Sequence, residues 1–295
     1  MKAARSAVAL AMVLLVAVWG YSWVAMKVAL VHAHPFDFAA QRLVAGAVLL
    51  FVVAAATGRP LRLPDYRTAA MLGLVQVGAF VVLSHYALLA GGAGKVAVLT
   101  YTMPFWMILF ARVLLAERMG TAQWAAVVAA FAGLLAIVAP WNLSSLAASV
   151  LAVASGAVWA LAAVLSKKWP AKGADLLTLT AWQLAFGAVP LVLLSLAHDH
   201  APVRWTGEYA LMLFYSAVFA TAGGWLLWTF ILANAPAGVA GLNSLGVPVF
   251  ALLASAWQLG ERPLPLEWAG MATVVGALAF LAWRGWRRSV AATSA

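Results

Sequence analysis

GKVAVLTYTMPFWMILFARVLLAERMGTAQW, residues 94–124, reads as a membrane-spanning helix with a proline near its middle and a Glu-Arg pair after its last turn. The same design returns in GVAGLNSLGVPVFALLASAWQLGERPLPLEW, residues 238–268. Positions that match lie 144 residues apart, and they are Gly94 and Gly238, Pro104 and Pro248, Glu117 and Glu261, Arg118 and Arg262, and Trp124 and Trp268. The chain therefore contains two copies of one unit.

The composition is that of a polytopic membrane protein. Of the 295 residues, 66% are hydrophobic and 9% are charged, whereas soluble domains are about 45–50% apolar and about 25% charged. The apolar runs are about 20 residues long, which is the length that spans a bilayer. Because these runs are continuously apolar rather than alternating, they predict helices and not a barrel. The absence of cysteine excludes disulfides and thiol catalysis.

We predict an all-α integral membrane protein with ten transmembrane helices. The predicted spans are 6–26, 38–57, 69–90, 93–115, 122–139, 146–166, 177–197, 209–232, 237–258 and 267–284. Five helices per copy would bring the second copy into the membrane from the opposite face, so we expect two inverted five-helix repeats. The predicted units are residues 1–140 and 141–295, and the second ends in a short cytoplasmic tail.

A second pair of motifs supports the duplication. Gln183-Leu184-x-x-Gly187-Ala188-Val189 repeats the pattern of Arg42-Leu43-x-x-Gly46-Ala47-Val48 at a separation of 141 residues. The different separation indicates small insertions in the loops between the spans.

The basic residues predict the orientation of the chain. With the N-terminus inside, 13 of the 18 Lys and Arg residues lie on the cytoplasmic side, four lie outside and Arg42 lies within a span. The positive-inside rule then places both termini in the cytoplasm, and we expect a multi-pass protein of the bacterial inner membrane. Basic loops also account for the net charge of +10 without a nucleic acid partner. We expect a monomer that has a small-molecule substrate, the lipid bilayer as its surroundings and no cofactor.

These features resemble the drug/metabolite transporter superfamily, in its ten-helix EamA branch. The residues that carry the likeness are Pro104 with Ala116-Glu117-Arg118, Pro248 with Gly260-Glu261-Arg262, and the intramembrane Arg42 and Gln183. The resemblance covers essentially the whole chain and implies two five-helix units that export small metabolites or facilitate their passage. The aromatic content is also similar to that of YddG-type exporters of aromatic amino acids.

Aromatic and neutral polar side chains at mid-membrane depth are the candidates for substrate binding. No carboxylate is predicted at that depth, which argues against Na⁺ or proton coupling through a carboxylate. Stacking and cation–π contacts suit amphipathic, partly aromatic amino acids, whereas sugar phosphates would need several buried cations. The predicted substrate-binding residues are Trp19, His85, Tyr86, Tyr101, Trp159, Trp228 and Asn243.

Three intramembrane polar residues keep more than one interpretation. His85 is a polar lining residue, a proton carrier or a packed side chain. Asn243 contacts substrate or makes a hydrogen bond between helices. For Arg42 we favour a structural or interfacial role over the binding of a substrate carboxylate.

Two prolines and two Glu-Arg pairs have predicted mechanical roles. Pro104 and Pro248 should bend their helices near the midplane, either as hinges for alternating access or as fixed kinks. The predicted structural caps are Glu117, Arg118, Glu261 and Arg262. We expect each glutamate to accept hydrogen bonds from the helix that follows it, from Thr121 or from Leu264 onward, in preference to a gating ion pair.

The predicted function is transport: the export or facilitated passage, by alternating access, of aromatic or other hydrophobic amino acids and related metabolites. The alternative is an exporter of drugs or cationic metabolites from the same superfamily. An intramembrane enzyme is disfavoured because no His-Glu-x-x-His motif and no buried carboxylate for a triad occur. No metal site is predicted, since His198-Asp199-His200 reads as a solvated loop. Inverted repeats with central prolines fit a passive channel less well.

Overall fold

Helices and short turns make up the computed structural model, which describes residues 2–90, 99–117, 120–138, 146–260 and 264–291. We number its helices in chain order. They are α1 (Lys2–Ala29), α2 (Pro35–Ala56), α3 (the consecutive segments Arg67–Met71, Leu72–Ala79 and Phe80–Ala90), α4 (Met103–Leu115), α5 (Thr121–Val138), α6 (Leu146–Lys168), α7 (Leu176–Ala197), α8 (Gly207–Tyr215, Ser216–Gly223 and Gly224–Asn234), α9 (Ala237–Asn243 and Gly246–Gln258) and α10 (Pro265–Ala291).

Seven helices in the described part of the chain are long and apolar enough to cross a membrane: α1, α2, α3, α6, α7, α8 and α9. The described parts of α4, α5 and α10 contain shorter apolar helices, Met103–Leu115, Trp124–Gly133 and Trp268–Ala277. The predicted all-α membrane class is confirmed, because no described segment is a strand. The count of ten spans stays a prediction.

α3 and α8 each contain a π-helical segment that the sequence did not lead us to expect. The segments are Leu72–Ala79 and Ser216–Gly223, each of eight residues. They lie 144 residues apart, which is the separation of the two proline-containing stretches. The repeated unit therefore extends into the local backbone geometry, and π turns within α-helices are frequent at functional sites.

The glycine of each Leu-x-x-Gly motif lies at a close contact between two helices. A Cβ built on Gly46 of α2 would lie 2.7 Å from the Thr221 methyl group in the π segment of α8. A Cβ built on Gly187 of α7 would lie 2.6 Å from Val77 in the π segment of α3. Glycine at both positions lets two helices approach closely, which is how membrane helices gain packing energy.

Contacts at both ends show that α2 and α7 run antiparallel. Beyond the C-terminal end of α2, Arg59 donates a hydrogen bond of 2.5 Å to Asp175, the N-cap residue of α7. At the opposite end, Ser195 near the end of α7 donates to Asp37 in the first turn of α2, also at 2.5 Å. α2 and α7, which share the Leu-x-x-Gly pattern, therefore have opposite directions.

Replacing Gly46 with valine tests the close contact between α2 and α8. We expect Gly46→Val to lower the free energy of unfolding by about 1–3 kcal/mol, because the added methyl groups overlap Thr221. Gly276→Val is the matched control, since Gly276 is another helical glycine and a Cβ there meets nothing within 4 Å. Thermal unfolding in detergent measures both, and equal effects of the two substitutions would contradict this account of the packing.

Acid titration tests the link between Arg59 and Asp175. Burial raises the pKa of the Asp175 carboxyl, but hydrogen bonds from Arg59 and from the backbone N–H of Thr178 outweigh it, so the folded-state pKa falls below the ordinary value of 3.8. The stability that this depressed pKa supplies is present above about pH 4 and is lost as the pH falls through the folded value.

We expect Asp175→Asn to remove that pH dependence and to keep the cap of α7, because asparagine is a good N-cap residue. Asp175→Ala should remove both the pH dependence and the cap of α7, and so lower the free energy of unfolding by about 1 kcal/mol. The measurement is the thermal midpoint of each protein between pH 3 and pH 7. An asparagine variant that keeps the acid-sensitive midpoint of the parent would show that Asp175 is not responsible.

Candidate functional site

A cavity of about 120 Å³ lies between the two units and is lined by residues from α1, α2, α3, α6, α8 and α9, from the start of α4 and from the segment that precedes α4. On α1, α2 and α3 the lining residues lie towards the face that carries residues 30–34 and 198–206. Its volume is sufficient for several water molecules or a small solute.

Four of the seven predicted substrate-binding residues line this cavity: Trp19, His85, Tyr101 and Trp159. The other three, Tyr86, Trp228 and Asn243, do not line it, although they lie close by. Further aromatic and hydroxyl side chains complete the wall, and they are Trp23, Phe38, Phe80, Trp225, Ser22, Ser84, Thr100, Ser216 and Ser244.

One face of α1 forms a wall of the cavity. Trp19, Ser22, Trp23 and Met26 all line it, at the spacing of three and four residues that places side chains on one side of a helix. Once Trp19 is a candidate for substrate binding, the same spacing identifies Trp23 as a further candidate from the sequence. The indole of Trp23 donates a hydrogen bond of 2.9 Å to the Tyr101 hydroxyl, which fixes both rings at the cavity.

The indole of Trp19 is held by the π segment of α8. Its Nε1 donates to the carbonyl oxygen of Ala220 at 3.0 Å. The ring lies directly over Gly224, where a Cβ would come within 2.4 Å of Nε1, so only glycine leaves room for it. The irregular backbone of α8 therefore positions Trp19, one of the two tryptophans on the α1 face.

Trp228 lies beneath the cavity and not on its wall. Its ring is 4.3 Å from that of Trp159 and 6.0 Å from that of Trp19, measured between centroids. Only 1% of Trp228 is exposed, and its indole N–H is buried without a hydrogen-bond partner. Trp228 therefore packs behind Trp159 and does not line the cavity, and its contact with substrate stays a prediction.

His85 lines the cavity, and one of its ring nitrogens has no hydrogen-bond partner. Its Nδ1 lies 2.8 Å from the carbonyl oxygen of Val81, which can only accept, so Nδ1 carries the hydrogen. The other nitrogen, Nε2, is buried without a partner and is an acceptor in the neutral ring. A donor group that reached Nε2 would satisfy this nitrogen.

Tyr86 belongs to a different group of side chains at the ends of the helices. A single residue further along a helix turns by about 100°, so Tyr86 points away from the cavity that its neighbour His85 faces. Its hydroxyl lies 3.4 Å from Nε2 of His198, and its ring packs edge-on against Phe36 at 5.2 Å. Tyr86 therefore does not line the cavity, and its predicted contact with substrate stays a prediction.

His198 belongs to a histidine cluster that consists of His34, His198, His200 and Asp37. The rings of His34 and His200 stack at 4.5 Å, and Nε2 of His200 lies 3.2 Å from the Asp37 carboxylate. Burial and the charge of His200 lower the pKa of the His34 imidazole, although Asp37 acts in the opposite direction. The expectation that residues 198–200 are simply solvated is wrong, because two of their three side chains are half-buried in this cluster.

Arg42, for which the sequence favoured a structural or interfacial role, lies on the cavity wall. It follows the start of α2 by seven residues, or roughly 10 Å at 1.5 Å per residue. Its Nη1 is 3.4 Å from the Thr221 hydroxyl, and its Nε is buried without a hydrogen-bond partner. Among the described residues it forms no ion pair with a carboxylate.

Asn243 takes the second of its two predicted roles. Its side-chain amide donates to the carbonyl oxygen of Met12 at 3.2 Å and so joins α9 to α1. The next residue, Ser244, lines the cavity in its place.

The two central prolines follow breaks in their helices. The breaks lie at Thr102, before Pro104, and at Ser244, before Pro248. The backbone N–H groups of Thr102 and Ser244 each donate to the carbonyl oxygen three residues earlier, at 3.3 and 3.1 Å, instead of four residues earlier as in an α-helix. Proline has no N–H and its ring clashes with the preceding turn, so each proline lies in the first turn of the helical segment that follows the break, which starts at Met103 or at Gly246. The predicted span 237–258 corresponds to Ala237–Gln258, which is long and apolar enough to cross a membrane and contains one of these turns. The start of the predicted span 93–115 lies outside the described part of the chain.

Glu117 caps a helix of the other unit. Its carboxylate accepts hydrogen bonds from the backbone N–H groups of Ala237 at 3.3 Å and Gly238 at 3.5 Å, at the start of α9. The prediction that it would cap the helix from Thr121 is wrong, because Ala116 adopts a left-handed conformation with φ of 54° that turns the chain after α4. The other predicted caps, Arg118, Glu261 and Arg262, lie outside the described residues.

Several proteins are similar to this chain over most of its length. The "Uncharacterized transporter YvbV" of Bacillus subtilis is 29% identical over 279 residues, which cover 92% of this chain and 90% of that protein. The "Riboflavin transporter" of Rhizobium johnstonii is 32% identical over 209 residues, or 68% of each chain. A crystal structure of another protein, only 17% identical, shares the fold with a TM-score of 0.81 over 96% of this chain and 98% of its own.

The family profile that matches the chain carries the description "EamA-like transporter family". It matches twice, at residues 6–139 and at residues 146–283. The relatives are named as transporters, and the role of the protein is transport rather than catalysis. Since the two matches together extend over most of the sequence, the chain belongs to the EamA-like transporter family.

Proposed function

We propose that the protein transports amino acids with aromatic or other hydrophobic side chains, and related small metabolites, by alternating access. The observation that carries this proposal is the cavity between the units, which has aromatic walls and in which the lining residue Trp159 is packed on Trp228. The substrate would occupy the cavity and leave towards the opposite face once these two rings separate.

The character of the wall favours amphipathic solutes. Trp19, Trp23, Trp159, Trp225 and Tyr101 offer ring surfaces, and each aromatic pair contributes about 0.5–1.5 kcal/mol beyond the burial of area. Hydroxyl groups from both units add neutral hydrogen-bonding partners. A phosphate or a sugar phosphate would require several cations, and Arg42 is the one cation among the described lining residues.

The contacts between the halves support two inverted units, with residues 1–140 in the first and 141–295 in the second. α2 and α7 match in sequence and run antiparallel, as inversion requires. Each packs its glycine against the π segment of the other unit. Matching breaks precede Pro104 and Pro248, and movement at these breaks would expose the cavity to each face in turn.

The similar proteins favour no single substrate. One relative is named as a riboflavin transporter and another as "Protein PecM" of Dickeya dadantii. The alternative of a cationic drug or metabolite is less suitable, because Arg42 on the wall would repel a cation. We place the protein in the bacterial inner membrane with both termini inside on the distribution of Lys and Arg. Export as the direction of transport rests on the resemblance to the EamA branch alone.

Transport by purified protein in liposomes tests the proposal. We expect labelled Phe, Trp, Met or Thr to exchange across the membrane, and Trp159→Ala and Tyr101→Ala to lower kcat/KM about tenfold, because each removes a stacking surface. Trp257→Ala is the control, since Trp257 is 83% exposed on α9. The proposal fails if none of these amino acids moves, or if both cavity variants transport as well as the control.

Substitution of His85 tests whether its Nε2 accepts a hydrogen bond from the substrate. We expect His85→Gln to raise KM by roughly two- to tenfold through the loss of one hydrogen bond, and to leave the response to an imposed pH gradient unchanged. Uptake is measured with and without the gradient for parent and variant. If the parent responds to the gradient and the variant does not, His85 carries the coupled proton and is not merely a lining residue.

A further inference from the structure

The charge balance of the cavity is uneven. Arg42 is the cation among its described lining residues, and none of those residues is an aspartate or a glutamate. The acidic residue nearest to it in the sequence, Asp37, is already engaged with Ser195 and His200 at the end of α2. The positive charge of Arg42 therefore has no protein counterion in the described part of the chain.

The guanidinium of Arg42 also has hydrogen-bond donor capacity that the described residues do not satisfy. Guanidinium carries five N–H groups, and a buried one without a partner is unfavourable. Nε of Arg42 is buried without a partner, and the bond from Nη1 to Thr221 is long at 3.4 Å. A carboxylate satisfies such a group particularly well, because its two oxygens accept two parallel hydrogen bonds from the planar fork.

The matching position in the second unit shows what a purely structural residue does there. Gln183 occupies it, and its amide donates to the side chain of Gln76 at 3.1 Å, in the π segment of α3. Arg42 makes the corresponding contact to the π segment of α8 through Thr221. An amide is therefore adequate for the contact between helices, and the charge at Arg42 is left for a ligand.

We propose that Arg42 binds the carboxylate of the transported solute, and that this carboxylate, rather than an ammonium group, decides which aromatic solutes enter. This inference rests on the proposed function and narrows its substrate class to aromatic and hydrophobic carboxylates, with or without an amine. An ammonium group meets only neutral acceptors in the described wall, such as Nε2 of His85, and the faces of the indole rings.

Three compounds that share one ring separate these requirements. 3-Phenylpropionate has the carboxylate alone, L-phenylalanine has both groups and 2-phenylethylamine has the amine alone. We measure binding to the purified protein by calorimetry and exchange in liposomes. The expected result is that the two carboxylates bind within about tenfold of each other, whereas the amine binds at least tenfold more weakly than either.

Arg42→Gln installs the residue that stands at the matching position 183. We expect it to weaken both carboxylates by roughly ten- to hundredfold, the effect of losing a charged hydrogen-bond pair, and to bring the amine closer to them in affinity. Arg62→Gln is the control for the loss of one positive charge, because Arg62 is exposed in the loop after α2. Arg42→Lys keeps the charge without the fork and should fall between the parent and the glutamine variant.

Each outcome has one meaning. Movement of phenylalanine but not of 3-phenylpropionate, or unchanged binding in Arg42→Gln, overturns the role of Arg42 and leaves the proposed function in place. Movement of 3-phenylpropionate without phenylalanine supports Arg42 and overturns the amino acid assignment. If 2-phenylethylamine binds best, the carboxylate requirement is wrong, and this comparison in the parent protein stands even if the variants do not fold. If no compound binds or moves, both proposals are wrong.

Discussion

The close approach of α2 and α7 to the π segments of the opposite units is the constraint on which the rest of the structure depends. Within a bilayer, helices associate through packing and hydrogen bonds, because lipid removes the hydrophobic drive between them. Gly46 and Gly187 allow that approach, and a side chain at either position would overlap its neighbour. The cavity lies beside the contact that Gly46 makes, where Arg42 on the same helix meets Thr221.

Matching contacts in the two halves do not produce matching surfaces. At position 183 of the second unit, the side-chain amide of Gln183 is hydrogen-bonded to that of Gln76. At the matching position of the first unit, the guanidinium of Arg42 lies on the cavity wall. Position 224 in α8 is a glycine, which leaves room for the Trp19 ring. The matching position in the first unit, 144 residues earlier, is Phe80, whose side chain occupies the corresponding room itself. The cavity has its polar and aromatic character because a few side chains differ between otherwise equivalent helices.

The sequence alone predicted the helices and the duplication well, because apolar length and the spacing of proline, glycine and Glu-Arg are local signals. It also selected Trp19, Tyr101, His85 and Trp159 from their depth in the membrane. It did not place Tyr86 outside the cavity or Glu117 at the start of α9, because helical rotation about one residue and a left-handed turn at Ala116 decide where those side chains point. The π segments were missed, since nothing in the composition of Leu72–Ala79 distinguishes a π turn from an α turn.

The π segments also bear on how the two copies correspond. A π turn accommodates one residue more than an α turn, because its hydrogen bonds span five residues rather than four. Both segments stand at the same separation as the two prolines. The extra residue is therefore matched in both copies and leaves their register unchanged from position 72 to position 124, so a side chain in one copy can be compared directly with its counterpart in the other.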